Sequence, residues 1–202
     1  MIIASASPST IDAVTKVLSL LAVAAQVTIA IVVLAWLVGF VFKPARRLLS
    51  GIAFVLDGAE LWAAFAVALT ATLGSLFFSE MASFVPCRLC WFQRIFMYPL
   101  VPLLLALAIR RDRRGSLFYA LPLTALGTIV SIYHLYIEAH PEAETEGCKV
   151  GGGSCAVKWI NEFGYITIPT LAITASVLIS LLVIAAGRSR GTAAEPQPAA
   201  SD

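Results

Sequence analysis

The sequence predicts an all-α fold: an integral membrane four-helix bundle core with one additional N-terminal transmembrane helix. Three observations lead there. Of the 202 residues, 59% are hydrophobic and 13% charged, whereas an ordinary soluble domain carries roughly a quarter charged residues. The apolar residues gather in runs instead of scattering. There are five such runs, and only one of them holds a formal charge. A helix needs about 20 mainly apolar residues to cross the hydrocarbon core. Five runs of that kind leave little polar sequence to clothe a soluble core.

The first run, Val17 to Phe42, is uncharged and long enough to span with tilt. Lys16 ahead of it also fits a signal peptide. The run is much longer than a typical signal core, and Lys43, Arg46 and Arg47 follow it like a stop-transfer signal, so a retained helix is expected. From Arg46 to Leu56, apolar residues at Leu48, Leu49, Ile52, Val55 and Leu56 have helical spacing and suggest a short amphipathic helix on the membrane face. The second run is Leu61 to Ser79. The third, Trp91 to Ile109, contains Arg94, and Pro99 and Pro102 predict a kink. The fourth is Leu117 to Ile137, with His134 inside it, and the fifth is Ile166 to Ala186. The domains expected are residues 1–58, the first span and its connector; 59–187, the four-helix membrane domain; and 188–202, a disordered cytoplasmic tail rich in Ala, Pro and Ser.

Orientation follows from the basic residues. Lys43, Arg46, Arg47, Arg110, Arg111, Arg113, Arg114, Arg188 and Arg190 fall on one side of the alternating spans; Lys16, Arg88, Lys149 and Lys158 fall on the other. The richer side is expected in the cytoplasm. The protein is then a multi-pass protein of the inner or plasma membrane, and nothing points to nucleic acid.

On this topology all four cysteines lie in extracytoplasmic segments: Cys87 and Cys90 in one, Cys148 and Cys155 in the other. An oxidising compartment permits disulfides. Cys87 and Cys90 form a Cys-x-x-Cys where a loop becomes the third span, and free N–H groups at a helix N-terminus stabilise a thiolate. Gly151, Gly152 and Gly153 separate the second pair and make its loop flexible. After it, Val157, Ile160 and Phe163 fall near one helical face, so Ala156 to Tyr165 is expected as a short surface helix. Spacing alone leaves open a structural membrane protein whose static disulfides only brace its loops. A four-cysteine zinc site fits poorly, because six residues within the second pair is an unusual separation, and no metal is expected.

Arg94 is the one formal charge inside a span and lies four residues after Cys90, on the same helix face. Intramembrane charges are costly and mark functional sites. A guanidinium one turn below a reactive sulfur would stabilise negative charge on that sulfur or on a reduced quinone oxygen. His134, about one turn from the outer end of the fourth span, is a candidate hydrogen-bond donor to a ring carbonyl or, equally, a hydrogen-bonded packing histidine. Trp62, Trp91 and Trp159 are placed as interfacial anchors.

The stretch Cys87-x-x-Cys90-Trp91-Phe92-Gln93-Arg94-Ile95-Phe96-Met97-Tyr98-Pro99 resembles the signature of the disulfide bond formation protein B (DsbB) family, in its BdbC-like branch. Tyr133-His134 and the stretch Trp159 to Pro169 add to the likeness, which runs from about Leu61 to Ala186. Vitamin K epoxide reductase-like proteins share the general plan, but there the loop pair precedes the helix-end pair. The resemblance implies a membrane thiol-disulfide oxidoreductase that reoxidises a thioredoxin-like partner of the DsbA or BdbD type and passes the electrons to a membrane quinone, ubiquinone or menaquinone. It implies Cys87, Cys90, Cys148 and Cys155 as the catalytic residues, with Cys148 taking the mixed disulfide and Cys155 attacking Cys87. It implies Cys90 and Arg94 beside the quinone, where His134 is the further candidate. The first span lies outside the usual family core, and the Cys148–Cys155 spacing is shorter than in the proteobacterial branch.

Overall fold

The computed structural model describes residues 6–41, 58–149 and 153–188. The amphipathic connector expected over Arg46 to Leu56 and the tail beyond residue 188 lie outside the described residues. The described chain is helical, with one isolated antiparallel bridge between Glu162 and Ile166. Five of its helical segments are long and apolar enough to cross a membrane.

Helix α1 spans Pro8–Val41, 34 residues, or about 51 Å at 1.5 Å per residue. That exceeds a hydrocarbon core of about 30 Å. Its first turns therefore rise beside the loops, where Pro8, Ile11, Asp12 and Thr15 share a groove with Trp159, Ile160 and Glu162. Helix α2, Glu60–Leu76, begins where the Glu60 carboxylate accepts the Gly58 N–H at 2.8 Å, and continues through a π-helical turn, Phe77–Met81. The third span is two helices, α3 (Arg88–Met97) and α4 (Leu100–Arg110). The break at Tyr98 and Pro99 is the kink expected from a proline that lacks an N–H for the helical ladder. Arg111 ends α4 in the left-handed region, at φ 53°. Asp112 then caps the next turn by accepting the Gly115 N–H at 2.8 Å. The fourth span runs from Arg113 through a π-helical turn, Ser116–Ala120, into α5, Leu121–Ala139. Helix α6 is Ile168–Arg188.

Neighbours around the bundle are α4 and α2, α2 and α6, α6 and α5, α5 and α3, which closes a four-span ring. Its core sets Ala64 and Ala68 of α2 against Leu100 and Leu104 of α4 and Ile179 and Val183 of α6. Small residues let membrane helices approach closely. Helix α1 packs outside this ring, against α6. It docks through Thr15, Ser19 and Ala22, which are buried, while Val17, Leu20, Val27 and Ile31 are exposed as a lipid face. The docking stripe is small and polar, the pattern that van der Waals packing between membrane helices favours.

One expectation is corrected. Residues 156–165 form no helix. Glu162 and Ile166 exchange backbone bonds at 3.0 and 2.9 Å, and the turn between them needs left-handed backbone at Phe163 (φ 52°) and Gly164 (φ 78°). The apolar periodicity has no common face to serve: Ile160 is buried, whereas Val157 and Phe163 are exposed. Trp159 stacks on Phe84 with ring centroids 4.9 Å apart.

Leu100 has no exposed surface, whereas Leu20 is 58% exposed on the lipid face. Leu100→Ala is expected to cost roughly 2 kcal/mol, the low end for a buried leucine, because lipid is as apolar as the core and only packing is lost. Leu20→Ala is expected to leave the thermal unfolding midpoint in detergent micelles unchanged. Equal midpoints for the two variants contradict the burial pattern.

Candidate active site

The site is built on the first turn of α3. Val85 precedes a proline and is biased to extended backbone, so the helix starts only after Pro86. Cys87 is its N-cap, with extended backbone, and its sulfur accepts the Cys90 N–H at 3.3 Å. The two sulfurs lie 2.9 Å apart. All four cysteines are free thiols in this structure.

The second pair is brought to the same turn. The Cys155 sulfur lies beside the Leu89 N–H and near the sulfurs of Cys148 and Cys87, and it donates to the Cys148 carbonyl at 3.9 Å. Cys87, Cys148 and Cys155 are buried together with Leu89 and Ile137, and Cys90 packs against them. Three contacts hold the loop there. The Glu144 carboxylate accepts the Cys155 N–H at 2.6 Å and the Ser154 hydroxyl at 2.9 and 2.8 Å. Arg88 donates to the Gly147 carbonyl at 3.2 Å. Gly153 lies so close to the other loop that a Cβ would sit 3.0 Å from the Val85 carbonyl oxygen. Neither Glu144 nor this contact stands out in the sequence, where Glu144 is one of three alternating acids.

His134 is 2% exposed and sits between the pairs. Gln93 bonds its Nδ1 at 3.2 Å. With the Gln93 amide donating there, the proton is on Nε2, which faces the Cys155 carbonyl at 3.1 Å and the Cys87 sulfur at 3.6 Å. The sequence expectation put His134 at a quinone ring. Its Nε2 instead faces the thiol cluster while Gln93 holds its Nδ1, and it does not line the neighbouring cavity. The potential metal-ligand groupings among the described residues are Cys87, Cys90 and His134, and Cys148, Cys155 and Glu144, so they divide the cysteines instead of joining all four.

The reduced thiols of Cys87, Cys148 and Cys155 hold their protons. Cys87 is pushed up to about 12, first by its bond to Cys90 and then by burial, which together outweigh His134. Burial, followed by the bond to Cys155, pushes Cys148 up to about 12. Burial also raises Cys155, against the bonds from Cys148 and the Leu89 N–H. The helix terminus alone predicts an acidic Cys87; desolvation and a neighbouring sulfur reverse that.

Below the thiols lies a cavity of about 460 Å³ inside the bundle. Its polar end carries Cys90, Gln93, Arg94, Ser75 and Tyr98, and most of the remaining wall is apolar side chains from α1, α2, α5 and α6. Arg94 donates from Nε to the Ser75 hydroxyl and from Nη2 to the Ser75 carbonyl, each at 3.1 Å, and Tyr98 donates to the same hydroxyl at 3.2 Å. The guanidinium carbon lies 5.3 Å from the Trp91 ring centroid and 5.9 Å from that of Tyr98. Arg94 is therefore anchored in the bundle, not extended to the interface, and Ser75 is a partner that no sequence motif marks.

The raised thiols give a pH signature. Because the Cys148 pKa stands above the ordinary 9.0, its reactive thiolate is scarce at pH 9 and grows about tenfold per pH unit beyond it. Iodoacetamide labelling of Cys148 in the reduced protein, followed by mass spectrometry, is expected to keep rising past pH 9. A plateau at that pH contradicts the buried geometry.

Comparison with known proteins gives the same outline. The family model described as disulfide bond formation protein DsbB matches residues 58–186. Disulfide bond formation protein C of Bacillus subtilis is 44% identical over 123 residues, covering 61% of this chain and 88% of the relative. Probable disulfide formation protein C of Halalkalibacterium halodurans is 46% identical over 120 residues, covering 58% and 87%. The SPbeta prophage-derived disulfide bond formation protein B of Bacillus subtilis is 38% identical over 108 residues, covering 54% and 72%. No solved structure matches significantly. A bundle of apolar spans, two converging cysteine pairs and a match across most of the bundle place this chain in the DsbB family of disulfide bond formation proteins, as a multi-pass membrane thiol-disulfide oxidoreductase.

Proposed function

We propose that the protein reoxidises an extracytoplasmic thioredoxin-like dithiol oxidase and delivers the electrons to a membrane quinone. One observation carries this reading: Cys90 belongs both to the sulfur cluster and to the wall of the bundle cavity. The cavity suits the cofactor. Its volume falls within the roughly 300–1,000 Å³ of small-molecule sites, and it pairs apolar walls with a few convergent polar groups. A bound quinone supplies a two-electron, two-proton acceptor.

The residues divide the work as follows. The partner's thiolate attacks Cys148 of the Cys148–Cys155 disulfide and forms a mixed disulfide, which releases Cys155. Cys155, whose backbone is held by Glu144, attacks Cys87; the Cys87–Cys90 bond breaks and Cys90 leaves as a thiolate beside Arg94 and the cavity. The partner's second thiol resolves its mixed disulfide and leaves oxidised. The Cys148 it frees attacks Cys155, restoring the Cys148–Cys155 bond and releasing Cys87. Cys87 and Cys90 are then a dithiol, which gives up two electrons and two protons at the cavity as their disulfide re-forms. Each exchange is governed by thiolate access and leaving-group pKa. In this scheme Arg94 stabilises negative charge at Cys90 and at a ring oxygen. His134 donates between Cys87 and the Cys155 carbonyl and so keeps the two pairs in line. The excess of Lys and Arg at the opposite loops supports a thiol end outside the cytoplasm.

Two experiments test this. Cys90→Ser is expected to lower quinone reduction by a reduced thioredoxin-like partner by more than about a thousandfold, as loss of a nucleophile does elsewhere; normal turnover in that variant, measured by quinone absorbance, rules the relay out and favours static loop disulfides. A reporter fused after Arg114 is expected to read as cytoplasmic, and an extracytoplasmic reading inverts the topology.

A further inference from the structure

The family match begins at residue 58, so α1 lies outside it. Yet α1 contributes Leu18, Ala22 and Ala25 to the wall of the cavity that Cys90 and Arg94 enter. Its seating there is specific. The Leu18 side chain fills the space left by Gly74 of α2, where an added Cβ would meet it at 3.0 Å. One helical turn beyond Ala22, Gln26 makes two hydrogen bonds inside an otherwise apolar run. Its amide nitrogen donates to the Thr174 hydroxyl of α6 at 3.0 Å, and its carbonyl oxygen accepts from the Tyr165 hydroxyl at 2.9 Å. Within the hydrocarbon layer an amide without partners is costly, so a doubly bonded one fixes both the depth and the rotation of its helix.

We infer that α1 is a wall of the quinone-binding cavity and that Gln26 is the positioning residue that pins it, so that this additional span sets how tightly the quinone is held. The inference rests on the quinone reading above and assigns to α1 a part in it. Helix rotation is the variable that matters. Turning α1 withdraws Ala22 and Ala25 from the cavity and replaces them with side chains of the lipid face, such as Leu20. The wall is thus set by a polar pair of contacts rather than by apolar packing alone, which lipid tails match equally well.

The test uses the full chain in detergent micelles, with decyl-ubiquinone and a short-chain menaquinone as probes. Binding is read without turnover, from quenching of tryptophan fluorescence, and separately as quinone retained per protein after purification. Ala25→Phe is expected to weaken the dissociation constant about tenfold, the cost of overfilling a packed wall. Gln26→Leu is expected to weaken it severalfold, with Gln26→Glu at low pH, where the acid can both donate and accept, retaining more affinity than Gln26→Leu. Leu20→Phe on the lipid face is expected to change nothing. Electron transfer from a reduced thioredoxin-like dithiol to the protein's own disulfides, followed in one turnover without quinone, is expected to be unchanged in every variant. If Ala25→Phe and Gln26→Leu both bind the probes within twofold of the unaltered protein, α1 is no part of the cavity wall and the inference is overturned. If the unaltered protein binds neither probe while still exchanging disulfides, the quinone reading itself falls, and this inference with it.

Discussion

The site depends on how the unpaired N–H groups of one helix terminus are used. At the start of α3 the Cys90 amide points at the Cys87 sulfur and the Leu89 amide at the Cys155 sulfur. The two sulfurs come from segments far apart in sequence, yet they meet at one helix turn, where one is held by the Cys90 amide and the other lies beside that of Leu89. A helix offers such donors only in its first turn, which is why the loop pair must come down to the bundle rather than stand above it. Glu144, Arg88 and His134 secure that descent from three directions.

Bringing sulfur out of water has an electrostatic result. Desolvation and neighbouring sulfurs raise Cys87, Cys148 and Cys155, although a histidine acts in the opposite sense on Cys87. Thiols at rest therefore keep their protons, and a thiolate exists mainly as the leaving group of a disulfide that has just been attacked. Such a cluster resists adventitious alkylation and oxidation while still exchanging bonds within itself. The cavity side is different in kind. There Arg94 is fixed by Ser75 and by two aromatic rings, and charge formed at that depth meets a prepared cation.

Much of this was legible in the sequence, because it depends on runs and spacing. Uninterrupted apolar stretches gave the spans, Pro99 gave the break in the third, and four residues between Cys90 and Arg94 put both on one helix face. What was not legible depends on partners distant in sequence. His134 reads as polar in a membrane span, but only the fold shows that Cys155 and Gln93 claim both its nitrogens. Ser75 looks like any small residue of a packing face. The apolar spacing after Cys155 imitates a helix, and the chain breaks that pattern at Phe163 and Gly164 to close a turn before α6. In α1, Thr15, Ser19, Ala22 and Gln26 lie at helical spacing in a helix that is apolar on average, and no hydropathy average reveals such a stripe.

The contact between Gly153 and the backbone before Cys87 has a consequence for inheritance. A side chain of any kind at that position acts as a wedge between the two loops that carry the cysteine pairs. The property preserved there is a missing atom, so chemical similarity is no guide to which replacements survive. Even alanine, the mildest exchange elsewhere in the molecule, would be felt at this point as a spacer.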